Sequence, residues 1–338
     1  MAASGVLRPA VTELTTVIPV FNGERFLPAT LACLAAQTRP ADRIVVIDNG
    51  STDSTPEIVR NAPGLRCEFR RNESNLGVLG NLNRCLALSR ETRYLHLLMA
   101  DDLVTPEFNA SMLEAMKLLP GPGLGYCFNE TISQTGAVLG KNQQRPTGPA
   151  LRVSLNEFLG PQSELATVLL PGVIFKTEFQ DPVCLFRDMP QVADGLFLAE
   201  WAAKSGGVVE LPQFYCQYRV HPFNASSRHM YDLKCFVEDE WEVSWSVFNW
   251  FQESAFAHAR RALRLRLLHA ARMQVKIDMM DHLRPDFANT IRRRRRELVG
   301  TPATALGWTV VRLRDALRRL NGRPGRAEEL ISNAHVAT

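Results

Sequence analysis

The sequence predicts an α/β fold with a doubly wound, mostly parallel sheet flanked by helices, followed by a basic helical C-terminal extension. Three observations carry this prediction. Short apolar runs alternate with helical periodicity through the first hundred residues, each run ends in a turn rich in Gly, Asn or Asp, and the later chain turns helical and arginine-rich.

Leu14 to Val20 reads as a buried strand, with Pro19 near its end where a missing donor matters least. Phe21-Asn22-Gly23 is a turn, and Glu24 to Gln37 places Phe26, Leu27, Leu31 and Leu34 at helical spacing. Arg43 to Ile47 is a second strand, ending at Asp48-Asn49-Gly50-Ser51. Ser54-Thr55-Pro56-Glu57 matches a capping box at the next helix start. Cys67 to Arg71 is a third strand, Gly77 to Ser89 a helix, and Tyr94 to Met99 a fourth strand. Short connections between such elements predict right-handed crossovers.

Asp101 and Asp102 directly follow that fourth apolar run. A parallel strand ending in two carboxylates delivers them to the carboxyl edge of the sheet, where open α/β folds bind ligands. Adjacent carboxylates repel, so a divalent cation holding a phosphate-bearing ligand explains the pair. A helix start explains it equally, because Asp there favours the dipole. The Asn22-Gly23 and Asp48-Asn49-Gly50-Ser51 loops fall on the same edge. No P-loop and no dinucleotide glycine fingerprint occurs, so a metal-bridged nucleotide diphosphate fits these loops best.

At 338 residues, 46% hydrophobic and 22% charged, the chain has the composition of an ordinary soluble protein. No stretch reaches the roughly 18 apolar residues of a membrane span. Met1 to Pro9 lacks the apolar core of a signal peptide, so the expected address is the cytoplasm. Seven scattered cysteines read as reduced core thiols. The net charge of +4 hides an asymmetry: residues 256–326 hold eighteen Lys and Arg against five Asp and Glu.

Thr16-Val17-Ile18-Pro19-Val20-Phe21-Asn22-Gly23-Glu24, Val46-Ile47-Asp48-Asn49-Gly50-Ser51-Thr52-Asp53, Asn75-Leu76-Gly77-Val78 with Asn81-Leu82-Asn83-Arg84, and Ala100-Asp101-Asp102-Leu103 resemble, in order, the motifs of family 2 glycosyltransferases with the GT-A fold. The resemblance spans roughly residues 12–225. It implies inverting transfer of a hexosyl or deoxyhexosyl unit from a nucleotide-diphosphate-sugar donor to a saccharide or lipid-linked saccharide acceptor, assisted by Mn²⁺ or Mg²⁺. Cell-surface polysaccharide or glycoconjugate synthesis is the implied setting. It also implies nucleotide contacts from Pro19, Phe21, Asn22, Glu24, Asp48, Asn49, Asn83, Arg84 and Asp101. The family often has a second acidic residue where Asn49 stands; an Asn carbonyl still accepts from a base imide, and uridine, thymidine and guanosine donors all remain open. Leu82 stands where many relatives carry Arg.

Asp102 is the implied metal ligand, with Asp101 on the ribose or the metal shell. Pro190 to Ala203 resembles the segment in which an Asp opens a helix beneath the acceptor, making Asp194 the expected catalytic base, with Glu200 a weaker substitute on the helix surface. Gln217-Tyr218-Arg219-Val220-His221 resembles a closing element in which Arg219 pairs with the diphosphate and His221 completes the metal shell.

The expected organisation is a flexible segment 1–11, a glycosyltransferase domain 12–227 (nucleotide-sugar binding 12–130, acceptor side 131–227) and a helical basic extension 228–338. Leu233, Phe236, Val237, Trp241, Trp245 and Phe248 form one apolar stripe, expected to pack within the domain. Leu306, Val310, Leu313, Leu317 and Leu320, among Arg312, Arg314, Arg318 and Arg319, suit a docked helix, a dimer seam or a helix on anionic lipid. Arg292 to Arg296 reads as a solvated face or a lipid or phosphate patch. Two other classes compete: a sugar-nucleotide-binding scaffold without catalysis, and a nucleic-acid binder using the arginine-rich tail. The acidic remainder of the chain and the lack of a recognition motif argue against nucleic acid.

Overall fold

A computed structural model describes residues 12–143, 145–166, 168–189, 192–221 and 232–320. The expected flexible segment 1–11, the 227/228 domain boundary, Pro190, and the side chains of Arg314, Leu317, Arg318, Arg319 and Leu320 lie outside the described residues.

The four strands expected from the apolar runs are β1 (Thr12–Val20), β2 (Arg43–Asp48), β3 (Glu68–Arg71) and β4 (Thr92–Leu97). Helices α1 (Leu27–Ala35), α2 (Thr55–Arg60) and α3 (Gly77–Leu86) alternate with them. Then follow β5 (Leu103–Val104), α4 (Phe108–Met116), β6 (Gly123–Ile132), β7 (Val138–Asn142), β8 (Leu151–Val153), α5 (Leu155–Ser163), β9 (Val173–Lys176), α6 (Ala193–Ser205) and β10 (Val208–Arg219). The described strands form one sheet in the order β3-β2-β1-β4-β9-β6-β10-β5, with β7 on β6 and β8 on β10.

The fold is mixed α/β, and its parallel character is confined to two blocks. Strands β3, β2, β1 and β4 pair in parallel, as do β6 and β10, whereas β9 runs antiparallel to both of its neighbours. The sequence pattern predicted a mostly parallel sheet because strand–helix alternation is regular only as far as Asp102. Beyond it, β6 returns directly into β7 through a tight turn in which the Ser133 N–H donates to Ala137 O at 2.8 Å. A connection that short forces antiparallel pairing.

Leu14, Ile18 and Val20 of β1 pack with Leu27, Leu31 and Leu34 of α1 and with Phe108 and Met112 of α4. Val17, on the opposite face of the strand, is equally inaccessible to solvent. Burial on both faces explains why β1 reads as a continuous apolar run, each such side chain contributing about 1.5–3 kcal/mol. Pro19 lies beyond Val17↔Leu97, the last rung shared with β4, so its missing N–H breaks no bond on that side.

The capping box expected at Ser54 is absent. Ser54 Oγ instead donates to Glu24 Oε2 at 2.8 Å, and Glu57 pairs with Arg60 at 3.1 Å. Asp53 takes over the start of α2, its Oδ1 accepting from the Thr55 N–H at 3.0 Å. A reciprocal box occurs instead at α5, where Ser154 Oγ accepts from the Glu157 N–H and Glu157 Oε2 accepts from the Ser154 N–H.

Contacts divide the chain into two compact units. The first takes residues from 1–158, 168–188 and 197–220; the second takes 159–167, 189–196 and 221–338. The second unit holds a π-helical turn (Lys234–Glu238), α7 (Asp239–Phe248), α8 (Ala255–Leu283), α9 (Pro285–Val299) and α10 (Thr301–Leu320). Its core joins Val237, Ala270, Met273, Ile277, Met280, Ala288, Ile291 and Val299. No described helix is long and apolar enough to cross a membrane.

Candidate functional site

Three loops meet at the carboxyl edge of the parallel strands, and short side chains hold them together. At the end of β1, Asn22 adopts φ 51°, a conformation Asn tolerates. Its Oδ1 accepts from the Thr52 N–H at 2.8 Å while its own N–H donates to Ser51 Oγ at 2.8 Å. Gly23 donates to Thr55 Oγ1, and a Cβ at Gly23 would lie 2.5 Å from Val20 Cγ2, so only glycine fits this turn. The Glu24 N–H donates to Asp53 Oδ2 at 3.0 Å. Burial opposes ionisation of Asp53, but the hydrogen bonds from the Thr55 hydroxyl and the Glu24 and Thr55 N–H groups outweigh it and hold its carboxyl below the usual value. Phe21 is exposed beside this loop.

At the end of β2, Asp48 is fully buried. Its Oδ1 accepts from the N–H and hydroxyl of Ser51, and its Oδ2 lies 3.1 Å from Arg71 Nη1. Arg71 also donates to Ser51 O at 2.7 Å, so one guanidinium clamps the whole turn. Asn49 is buried and makes four hydrogen bonds through its side chain. Nδ2 donates to Asn75 Oδ1 and Gly77 O, at 2.8 and 3.1 Å; Oδ1 accepts from Asn72 Nδ2 and the Leu76 N–H, both at 2.9 Å. Asn72 also donates to Asn81 Oδ1, and Asn81 donates to Ile47 O. These amides tie β2 to the loop entering α3.

Asn81 is thus buried in the network, and Leu82 beside it is a core residue. Asn83 holds the backbone of Phe186 in both directions, donating to its carbonyl at 3.1 Å and accepting from its N–H at 2.8 Å. Arg84 is exposed on α3.

After β4, Asp102 is fully buried and Asp101 half-buried. Asp102 Oδ1 accepts from the Arg219 N–H at 2.7 Å, and the Thr30 hydroxyl lies 3.0 Å from both Ala100 O and Asp102 O. The Arg219 side chain is buried and grips main chain: Nε donates to Asp101 O at 2.8 Å, and Nη1 donates to Ser133 O and Gln134 O at 3.1 and 3.2 Å. Phe26 lies 5.1 Å from its guanidinium carbon. Arg219 therefore fixes the Asp101-Asp102 turn.

Asp194 stands in the first turn of α6, half-buried, and desolvation pushes its carboxyl up to about 6. Glu200 is not the surface group the sequence suggested: it is buried and paired with Arg187 and Lys204, each at 2.7 Å. His221 is buried, two residues past β10. The seven cysteines are free thiols. Burial raises Cys33 to about 11 and Cys127 to about 12, which removes them as nucleophiles.

Sequence reasoning missed Arg71, Asn72 and Thr30. Thr30 carried a legible signal, a polar side chain inside the Leu27-Leu31-Leu34 stripe. Arg71 and Asn72 carried none, since their partners in the turn after β2 lie twenty residues away or more.

Strand order and edge loops of this kind define the GT-A class of fold. A sequence model of the family described as glycosyl transferase family 2 matches residues 15–121. An uncharacterized glycosyltransferase of Rickettsia typhi is 26% identical over 166 residues, 48% of this chain and 51% of that protein. The chain thus spans about half the length of the curated relatives it matches. Among solved structures, S. aureus TarS 1-349 in complex with UDP-GlcNAc superposes with a TM-score of 0.59 at 19% identity, covering 76% of this chain and 70% of that one. GalNAc-T7 with UDP, GalNAc and Mn²⁺ gives 0.50 at 14% identity, covering 84% and 55%. At such identities the likeness is one of fold.

Proposed function

We propose that this protein is an inverting glycosyltransferase that moves a hexosyl or deoxyhexosyl unit from a nucleotide-diphosphate-sugar donor to an acceptor hydroxyl in cell-surface polysaccharide or glycoconjugate synthesis. The observation that carries the reading is the Asp101-Asp102 turn at the carboxyl end of β4, locked by Arg219 inside the stretch matched to the family. TarS is described with UDP-GlcNAc, and GalNAc-T7 with UDP and Mn²⁺, which supports a uridine-type donor and a divalent cation here.

The residues fit a hard cation. The acidic pair offers carboxylate oxygens, and the described residues include no group of three His, Cys, Asp or Glu able to hold a metal unaided. A sparse carboxylate set completed by phosphate oxygens suits Mg²⁺ or Mn²⁺. Asp101 and Asp102 would hold it; His221, the further neutral ligand that the resemblance implies, is not grouped with them among the described residues. When bound, it offsets charge on the departing diphosphate.

The chain's own groups do the rest. Asp48 and the first loop, with Phe21, Asn22 and Glu24, frame the nucleoside. Asn49 serves this site by organising it, since both of its amide hydrogens and both of its acceptor positions are engaged within the chain. Arg219 acts as a positioning residue through the Asp101 carbonyl. Asp194 takes the proton of the acceptor hydroxyl as that oxygen bonds to the anomeric carbon and the carbon–oxygen bond to the diphosphate breaks. A carboxyl raised to about 6 is a better base than an ordinary one and stays ionised at neutral pH. Leu306, Val310 and Leu313 are exposed on α10, which supports peripheral contact with an anionic membrane carrying a lipid-linked acceptor.

The test is Mn²⁺-dependent release of nucleoside diphosphate from UDP-, dTDP- and GDP-sugars, with membrane extract as acceptor source. Release with one donor class supports transfer. Donor binding without any release favours the non-catalytic scaffold.

A further inference from the structure

The second unit contains a groove that the donor reading does not use. One wall is a single stripe on the π-helical turn and α7, where Glu238, Trp241, Glu242, Trp245 and Asn249 recur at helical spacing; Arg294 and Leu298 of α9 form the other. Its volume is about 380 Å³. That is the small end of ligand pockets, roughly 300–1,000 Å³, and room for one or two sugar rings rather than for a docking helix.

The stripe was expected to be packing. Val237 and Phe248 are indeed buried, but Trp241 and Trp245 remain half-exposed. Their ring centroids are 5.3 Å apart at 55°, so the floor of the groove is aromatic and bent. Trp241 is braced edge-on by His269 at 5.2 Å, and Trp245 by Phe248 at 5.0 Å. Rings already fixed lose little freedom when a ligand arrives. Arg266 stands 5.7 Å from the Trp245 ring, so Trp241 is the open platform and Trp245 its rim.

The polar lining selects the ligand class. Glu238 and Arg294 pair at 2.5 Å across the groove, and Arg294 also reaches Glu297 at 2.8 Å. Glu242 and Asn249 are exposed, and neither side chain has a hydrogen-bond or ion-pair partner among the described residues. Two carboxylates against one already paired guanidinium disfavour phosphate, nucleotide or anionic lipid. A pyranose answers both features: its C–H face is electropositive and meets the negative face of an indole, while adjacent hydroxyls suit a carboxylate and an amide. We propose that this groove binds a neutral saccharide ring of a glycan, stacked on Trp241 with its hydroxyls on Glu242 and Asn249. The inference does not rest on the transferase reading, since such binding needs neither donor nor metal.

The test uses full-length protein labelled with 5-fluorotryptophan, its five tryptophan ¹⁹F signals assigned by single Trp→Phe variants. It is titrated, without nucleotide, with millimolar maltotriose, cellotriose, chitotriose and mannotriose. The expected result is a saturable shift of the Trp241 and Trp245 signals with at least one trisaccharide, weakened about tenfold or more in Glu242→Ala/Asn249→Ala, the loss of two charge-assisted or amide hydrogen bonds. Both substituted residues are exposed, so the fold is kept and is checked by circular dichroism. No saturable shift with any of the four, shifts confined to the other tryptophans, or binding unchanged in the double variant would each overturn the proposal.

Discussion

The edge loops of the first unit and the basic helices of the second solve polar burial in opposite ways. Around Asn49 the buried groups are mostly neutral amides, with short side chains reaching across two or three loops. In the second unit they are charges. Glu240 lies 2.8 Å from Lys276 and 3.1 Å from Arg272, and Arg295, the fourth member of the arginine run, is buried with its guanidinium on Gln274. Arg292 and Arg294 are likewise paired, with Asp281 and Glu238, which leaves Arg293 and Arg296 as the exposed members of the run. Neutral networks keep a ligand site's electrostatics available for the ligand; charge networks assemble helices that would otherwise repel.

Four outcomes sharpen that contrast. The largest is at Asp194: Asp194→Asn should lower kcat by about 10²–10⁴-fold while donor-induced stabilisation persists. The wild-type rate should fall as pH drops through about 6, where the base takes up its proton. The stability sign runs the other way. A folded-state value above the ordinary 3.8 means stability is fully present below 3.8 and lost as pH rises through about 6. At pH 8, Asp194→Asn should therefore raise stability, by on the order of 1 kcal/mol given partial exposure.

Next comes Glu240. Burial opposes its ionisation, but Lys276 and Arg272 hold its carboxyl down at about 2, so the stability it contributes is present above its ordinary 4.5 and lost only as pH falls through about 2. Glu240→Gln leaves two cations uncompensated and should cost about 3–5 kcal/mol in chemical denaturation.

Asn49→Asp should destabilise by about 1–3 kcal/mol, because a second carboxylate loses both donors and faces Asn75 Oδ1 and Gly77 O as acceptors. Tm by calorimetry checks it; an unchanged or raised Tm would show that the loops tolerate the acidic residue common in the family. Smallest is Arg293→Ala/Arg296→Ala, which should move stability by less than about 0.5 kcal/mol. The same variant should weaken cosedimentation with phosphatidylglycerol vesicles, and unaltered binding would remove these arginines from any membrane contact.

Much of the first unit was legible because its information is local. A strand of five or six apolar residues and the turn that ends it are neighbours in sequence, so the sequence alone puts Asp48, Asn49, Asp101 and Asp102 at one edge. Partnership was not legible. Asn49 was expected to face a base, yet its partners lie 23 to 28 residues on, and nothing in Asp-Asn-Gly-Ser announces them. Glu200 looked like surface because its partner Arg187 precedes the helix. The arginine run misled for the same reason: periodicity reports which face a residue occupies, not what stands opposite.

The most direct test of the account is thermal stabilisation by UDP-, dTDP- and GDP-sugars with Mn²⁺, in wild type and in Asp101→Asn. A donor that binds only the folded protein raises its stability by mass action. The account predicts a shift with one nucleotide class that disappears on chelation and in Asp101→Asn, with the melting of the unliganded variant unchanged. A shift of equal size in wild type and variant, or none with any donor in a well-folded sample, would contradict a donor site at the Asp101-Asp102 turn.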